Sequence, residues 1–306
     1  MVKRKAISMA GKTIVVSLPS TWVKKYGINK GDELDINEQY RRVIVSTDKL
    51  IKGEKTKLDV SGSEIIAKRS IDALFKRGYD EVEVIYNDKK ELAEIKQALK
   101  LTSTTFMMVE ENKNSLTLKS IANISQDDFD PVLRRMMIQF KQMNNELLNA
   151  IKENDDEKIK EVKELELENN KHTHFLRRAI NKGAYSDYRT ITTMYTFLEQ
   201  IENIADEWKF LCLHLENKKP KPTKEVIKVF EEVNDYTKLF YNVFYKHKKE
   251  DIELFTRQRK ELITKLLNLF EEQDKENAWI VHYLINITQQ QFTLLGPVMA
   301  IKSGTL

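Results

Sequence analysis

The sequence predicts a multidomain, mainly α chain. It has a β-rich amino-terminal domain over 1–50, a small α/β module over 58–124, and a duplicated three-helix bundle over 127–306 with repeats 127–217 and 223–301. Three observations predict this. Apolar residues alternate or run together in short stretches as far as residue 47; from Leu58 helical and strand periods take turns; beyond Asp127 the pattern is helical throughout. At 306 residues and 41% hydrophobic content the chain has room for two or three globular domains, so disorder is not the expectation.

In the first domain, "KRKAISMA" and "TIVVSL" are expected as strands, followed by "ELDIN" and "RVIVST" joined by "EQYRR" as a hairpin. Between the pairs, Pro19 suits a first helical turn because it has no backbone N–H to satisfy. "PSTWVKKY" is therefore a short helix, with Ser17 and Ser20 available as caps and Gly27 able to close it in the left-handed conformation. Gly31-Asp32 makes the next turn. In the module, "SEIIAKRSIDALFKRG" is an amphipathic helix capped by Ser63 and stopped at Gly78. "EVEVIY", the helix "KKELAEIKQALK", and the strands "TFMMVEE" and "SLTLKSI" around "NKN" complete an α-β-α-β-β order.

Breaks at Asn154-Asp155, Lys182-Gly183, Lys218 to Pro222, Lys248 to Asp251 and Gln273 to Asn277 divide the remainder into six helices. "LLNAIKENDDEKIKEV" and "YNVFYKHKKEDIELF" share the passage from an apolar helix through a charged turn to another helix. "IENIADEW" and "LINITQQQ" occupy matching places in the third and sixth helices. A three-helix unit is thus repeated, with "ENKKPKPT" as the joint.

Charge is uneven along the chain. Met1 to Lys57 holds 13 Lys and Arg against 6 Asp and Glu, and the remainder 38 against 41, so a balance of +7 stands in front of −3. A basic front end on a slightly acidic body points to a polyanionic partner. Cys212 is the one cysteine, which rules out an intrachain disulfide framework and fits a reducing cytoplasm. The basic start "MVKRK" leads into an alternating strand rather than a signal peptide. No stretch approaches the roughly 18 consecutive apolar residues of a membrane span, so no membrane insertion is expected.

The common enzyme signatures are absent: there is no GxxxxGK[ST] loop, GxGxxG turn, HExxH pair or GxSxG elbow. None of the five histidines follows a glutamate by three residues, as a di-iron carboxylate bundle would need. No enzyme is expected. His172 and His174 lie about 200° apart on a helix and cannot share a ligand, so structural roles are expected for both. Glu202 and Asp206 in "IENIADEW" project from one helical face, and Glu164 and Glu168 in "KELELE" repeat the spacing one helix earlier. Facing carboxylate pairs are the minimum for a hard cation in a bundle, and they are equally common as solvated charge on a helix face.

The ordered run "TIVVSLPSTWVKKYGINKGDEL" resembles the AbrB/SpoVT swapped-hairpin DNA-binding family through Leu18-Pro19, Trp22, Gly27 and Lys30-Gly31-Asp32. That resemblance implies a homodimer through the amino-terminal domain and double-stranded DNA as partner. By position it implies a DNA surface at Lys3, Arg4, Lys5 and Lys12, with Arg41 and Arg42 as further candidates, while Lys24, Lys25 and Lys30 are expected as a solvated face. The carboxy-terminal half resembles PhoU-like phosphate-uptake regulators, and the domain order is similar to archaeal PhoU-type regulators. This implies a cytoplasmic transcriptional regulator of phosphate uptake, or an adaptor that contacts a phosphate transporter ATPase or signalling protein without reading DNA. An antitoxin-like role is the remaining expectation from the swapped-hairpin likeness. The PhoU likeness also implies a divalent or ferric metal ion at Glu202 and Asp206, completed by second-helix acids. That second-helix motif is degraded to "ELELENNKH", and the second repeat carries Ile285 and Gln289 at the equivalent positions.

Overall fold

A computed structural model describes residues 3–9, 11–39, 41–47, 53–102, 105–121 and 124–303. The chain divides into two compact units, Met1–Thr56 and Lys57–Leu306. It is mainly helical, with a small β region at the amino terminus and a helical bundle at the carboxy terminus.

In the first unit, strand β1 (Ile7–Met9) pairs antiparallel with β2 (Thr13–Val15) across a turn in which Gly11 takes φ 75°. Both strands are shorter than their apolar runs, because a two-stranded sheet offers no further partner to the residues beyond the paired ones. Helix α1 (Ser20–Tyr26) follows. Pro19 stands at its N-cap position with no side-chain cap, so neither Ser17 nor Ser20 supplies one, and Gly27 closes the helix at φ 60°. Strands β3 (Asp35–Gln39) and β4 (Arg42–Ser46) form a second antiparallel hairpin. Its turn is tighter than "EQYRR" suggests: Glu38, Gln39 and Arg42 stay in the ladder, and Tyr40 lies outside the described residues.

A strand that the sequence reading did not assign runs across the boundary into the second unit. In β5 (Lys55–Asp59) Thr56 and Leu58 are half-buried while Lys55, Lys57 and Asp59 are exposed, which is the period-2 signature of an edge strand. Next come helix α2 (Glu64–Arg77), β6 (Glu81–Ile85), helix α3 (Lys89–Thr102), β7 (Phe106–Glu111) and β8 (Ser115–Ser120). The sheet order is β5-β6-β8-β7, and one core gathers Ile71 and Phe75 from α2, Val82 and Val84 from β6, and Leu116 and Leu118 from β8. Ser63 precedes α2 without a side-chain cap. The buried Glu91 carboxylate instead accepts from the Gly62 and Asn87 amides, both at 2.6 Å, and ties the two strand-to-helix loops together.

The bundle comprises α4 (Phe129–Glu153), α5 (Asp156–Asn181), α6 (Ile191–Lys218), α7 (Lys224–Lys246), α8 (Lys249–Glu272) and α9 (Lys275–Thr293). Helix α5 packs on α4 and α6, α8 packs on α7 and α9, and the two sets meet through α4 on α7 and α6 on α9. Asp155, Thr223 and Asp274 cap α5, α7 and α9 with side-chain oxygens. The fourth break falls earlier than expected, at His247-Lys248. Glu250 and Asp251 therefore occupy the first turn of α8, where negative charge suits the positive end of the helix dipole. A seventh helix, α10 (Leu295–Ile301), was not anticipated: Pro297 cannot donate to Thr293, so α9 ends there and the chain restarts. At the centre, Thr237 Oγ1 accepts from Asn144 at 2.7 Å and from Gln291 at 2.8 Å, joining α4, α7 and α9 through buried polar groups. Among the described residues no helix is long and apolar enough to cross a membrane.

Candidate functional site

Six cations of the first unit lie at the ends of its hairpins. Lys3, Arg4 and Lys5 lead into β1, Lys12 lies in the β1–β2 turn, Arg41 follows β3 and Arg42 opens β4; all six are exposed. Ile7, Met9, Ile14 (66%), Ile36 (71%) and Val43 of the same strands, and Val16 just after β2, are exposed too, while Val15, Ile44 and Val45 are half-buried. Among the described residues of this unit none is buried. Two hairpins with no buried side chain between them lack the apolar burial that independent stability requires.

The acidic motif of α6 has a different role from the one its spacing suggests. Glu202 Oε1 lies 3.2 Å from His174 Nε2, and Oε2 accepts from Arg177 at 2.7 Å. Asp206 is paired with Lys209, which also reaches the buried Glu166 at 3.1 Å. Glu164 is exposed, and Glu168 pairs with Lys171 at 2.7 Å. The four expected ligands are thus not brought together. Three of them are neutralised by cations of the protein, and such a set does not fit a metal ion. Among the described residues no group of three or more His, Cys, Asp and Glu side chains is arranged to hold one. In the second repeat Ile285 is buried and Gln289 exposed. Their neighbours Asn286 and Gln290 donate instead to Glu207, at 3.3 and 3.1 Å.

Glu202 belongs to an ionic clasp by which the α/β module sits on the bundle. His174 Nδ1 lies 3.2 Å from Asp72 of α2, and Asp72 pairs with Lys76 at 2.6 Å. One helical turn on, Arg178 donates to the carbonyls of Phe75 (2.8 Å) and Tyr79 (2.7 Å) and to Asp80 Oδ1 (2.7 Å). Lys182 reaches the other oxygen of Asp80, and Asn181 donates to the Lys76 carbonyl. The carboxy-terminal end of α2 is thus capped by Arg178 and Asn181 of α5, with the Phe75 carbonyl also accepting from the Gly78 amide. His174 is buried, in keeping with a structural role. Arg177 and Arg178 were not singled out from the sequence. The available signal was two adjacent arginines inside the apolar stretch "FLRRAI", which must either leave the helix face or find partners there.

Burial is the largest influence on Glu202 and disfavours its charge. The hydrogen bond with His174 and the charges of His174, Arg177 and Lys76 together outweigh it, so the carboxyl falls from an ordinary 4.5 to about 2. A folded value below the unfolded one stabilises the fold above the unfolded value, and the contribution is lost as pH falls from about 4.5 through about 2. The size is on the order of 3 kcal/mol. Urea midpoints measured from pH 5 to pH 2 are expected to fall less steeply for Glu202→Gln than for the parent. Parallel curves would show that Glu202 is not held charged by this clasp.

No family model, curated protein or solved structure matches this chain.

Proposed function

We propose that the chain is a dimeric, DNA-binding transcriptional regulator linked to phosphate uptake, in which the carboxy-terminal unit senses or docks and the amino-terminal unit grips the duplex. The observation that carries this reading is the first unit's lack of any buried side chain among its described residues, combined with exposed apolar strands and six exposed cations at the strand ends. A second copy supplies the missing apolar surface by interleaving its own hairpins. Dimerisation then doubles the cationic set, which suits a roughly two-fold-symmetric site on DNA. The link to phosphate uptake rests on the likeness of "IENIADE" to the PhoU-like motif. In this chain Glu202 of that motif pairs with His174 and Arg177 of α5, and His174 in turn meets Asp72 of the module.

The cations act chiefly by displacing counterions from phosphates, so affinity depends steeply on salt. Replacing Arg4 and Lys12 by Ala removes about four phosphate contacts from a dimer. The slope of log affinity against log salt is then expected to shrink by about 3 to 4, as read by fluorescence anisotropy on DNA from upstream of the protein's own gene. An unchanged slope would remove these residues from the interface. Absence of any salt-dependent binding by the full chain would favour an adaptor that works through protein contacts.

A further inference from the structure

Strand β7 (Phe106–Glu111) lies at the edge of the module's sheet, with β8 as its neighbour among the described residues in the order β5-β6-β8-β7. Three consecutive apolar side chains stand open on it: Met107 at 49%, Met108 at 37% and Val109 at 52%. Natural edges are blunted by lysine, proline or a bulge. This strand has neither lysine nor proline, and its register slips only after Met108, between Met108 and Glu110. Phe106 to Met108 is therefore a regular and unguarded stretch.

The backbone pattern determines what that stretch offers to a neighbour. The Ile121 amide donates to the Thr105 carbonyl at 2.8 Å, which makes Thr105 and Ile121 a hydrogen-bonded pair. Antiparallel ladders alternate, so Met107 turns its peptide groups toward Lys119, while Phe106 and Met108 turn theirs away from β8. The same parity holds on the far side of β8, where the Ser120 amide donates to the Asp80 carbonyl at 2.8 Å. Side chains sort in step with the backbone. Met107 shares the open face of the sheet with Lys119, and Met108 shares the helix-covered face with Phe106 and Leu118.

We propose that β7 pairs antiparallel with β7 of a second copy of this chain, about a two-fold axis through Met107, joining the two modules into one continuous sheet. In that register Phe106 and Met108 exchange backbone hydrogen bonds with Met108 and Phe106 of the second copy. Apolar side chains then meet on both faces. Met107 lies against Met107 of the second copy on the open face, and Met108 lies beside its Phe106 on the other. Glu110 and Glu111 fall beyond the paired stretch, at opposite ends of the two strands, so no carboxylate of one chain faces a carboxylate of the other. A two-fold contact requires such self-complementarity, because the same residues serve both sides. Three residues a side cover far less than the roughly 1,000 Å² of a free-standing interface. The contact thus rests on the dimer proposed for the first unit, which raises the effective concentration of one module for the other.

The test is disulfide cross-linking of full-length Met107→Cys under mild oxidation, read on non-reducing gels. Cys212 is buried and stays in place. A non-hydrogen-bonded antiparallel pair sits about 4.5 Å apart at Cα, within disulfide reach. Met107→Cys should link copies at least about tenfold faster than Lys113→Cys, at an exposed position between β7 and β8, at equal protein concentration. Adding Met108→Pro removes an outward N–H without touching the β8 ladder, and should slow linking to the Lys113→Cys rate. Sedimentation velocity of the parent separates this contact from the first-unit dimer. A dimeric parent with no faster link at Met107, or a link that survives Met108→Pro, overturns the strand pairing alone. A monomeric parent overturns both.

Discussion

Replacing Ile36 and Val43 together by Asp is expected to leave the second unit folded and the chain monomeric, and to abolish its binding to DNA. Both side chains are largely exposed, at 71% and 65%, and face the same side of the β3–β4 hairpin, where Ile36 pairs with Val45 and Val43 with Glu38. Carboxylates there meet water in the isolated chain and cost little. In a dimer whose hairpins interleave, the same positions are covered, and four apolar side chains worth about 1.5–3 kcal/mol each are lost while four charges are buried. The dimer dissociation constant should therefore rise by more than about 10⁴. Sedimentation velocity reads the first effect and anisotropy on duplex DNA the second. A variant that remains dimeric with parental DNA affinity would refute the interleaved amino-terminal unit.

The second large effect is expected at Arg178. Its side chain is 1% exposed and makes three hydrogen bonds into the end of α2, with burial lowering the guanidinium's pKa and the nearby Asp80 charge opposing it. Arg178→Ala leaves the Phe75 and Tyr79 carbonyls without this donor and removes the guanidinium from Asp80, which Lys182 also meets at 2.8 Å. Breaking a buried charged contact from one side costs about 3–5 kcal/mol. Thermal melting should show that loss, and hydrogen exchange should show faster exchange in α2 than in α7, which lies in the other half of the bundle. Arg178→Lys should rescue little, because a single ammonium cannot span two carbonyls and a carboxylate in the planar fork of a guanidinium. A change confined to less than about 1 kcal/mol would mean that Arg178 is not what holds α2 on the bundle.

Local signals in the chain were sufficient for most of the elements. Gly27 and Gly78 close α1 and α2 in the left-handed conformation, and Asp155, Thr223 and Asp274 mark helix starts, because each acts on backbone groups a few residues away. Strand β5 was legible in the alternation of "KTKLDV" but is short and mostly charged, so its apolar half is easily passed over. The division between α9 and α10 was written in Pro297, whose missing N–H has consequences four residues upstream.

The sequence by itself determined the mainly helical composition, the order of the β region, module and bundle, the two sets of three long helices, and the excess of positive charge at the front. These follow from periodicity, caps and breakers, which operate within one or two turns. The partners of the charged side chains were decided only by the tertiary structure. Glu202 and Asp206 share a helical face at any spacing of four, yet Glu202 meets His174 and Arg177 because α5 lies beside α6. Arg178 meets Asp80 because α2 packs on α5. Residues about 25 to 100 positions apart have no local pattern linking them, so whether a buried carboxylate takes a metal, a cation of its own chain or a bound ligand depends on which helices pack together.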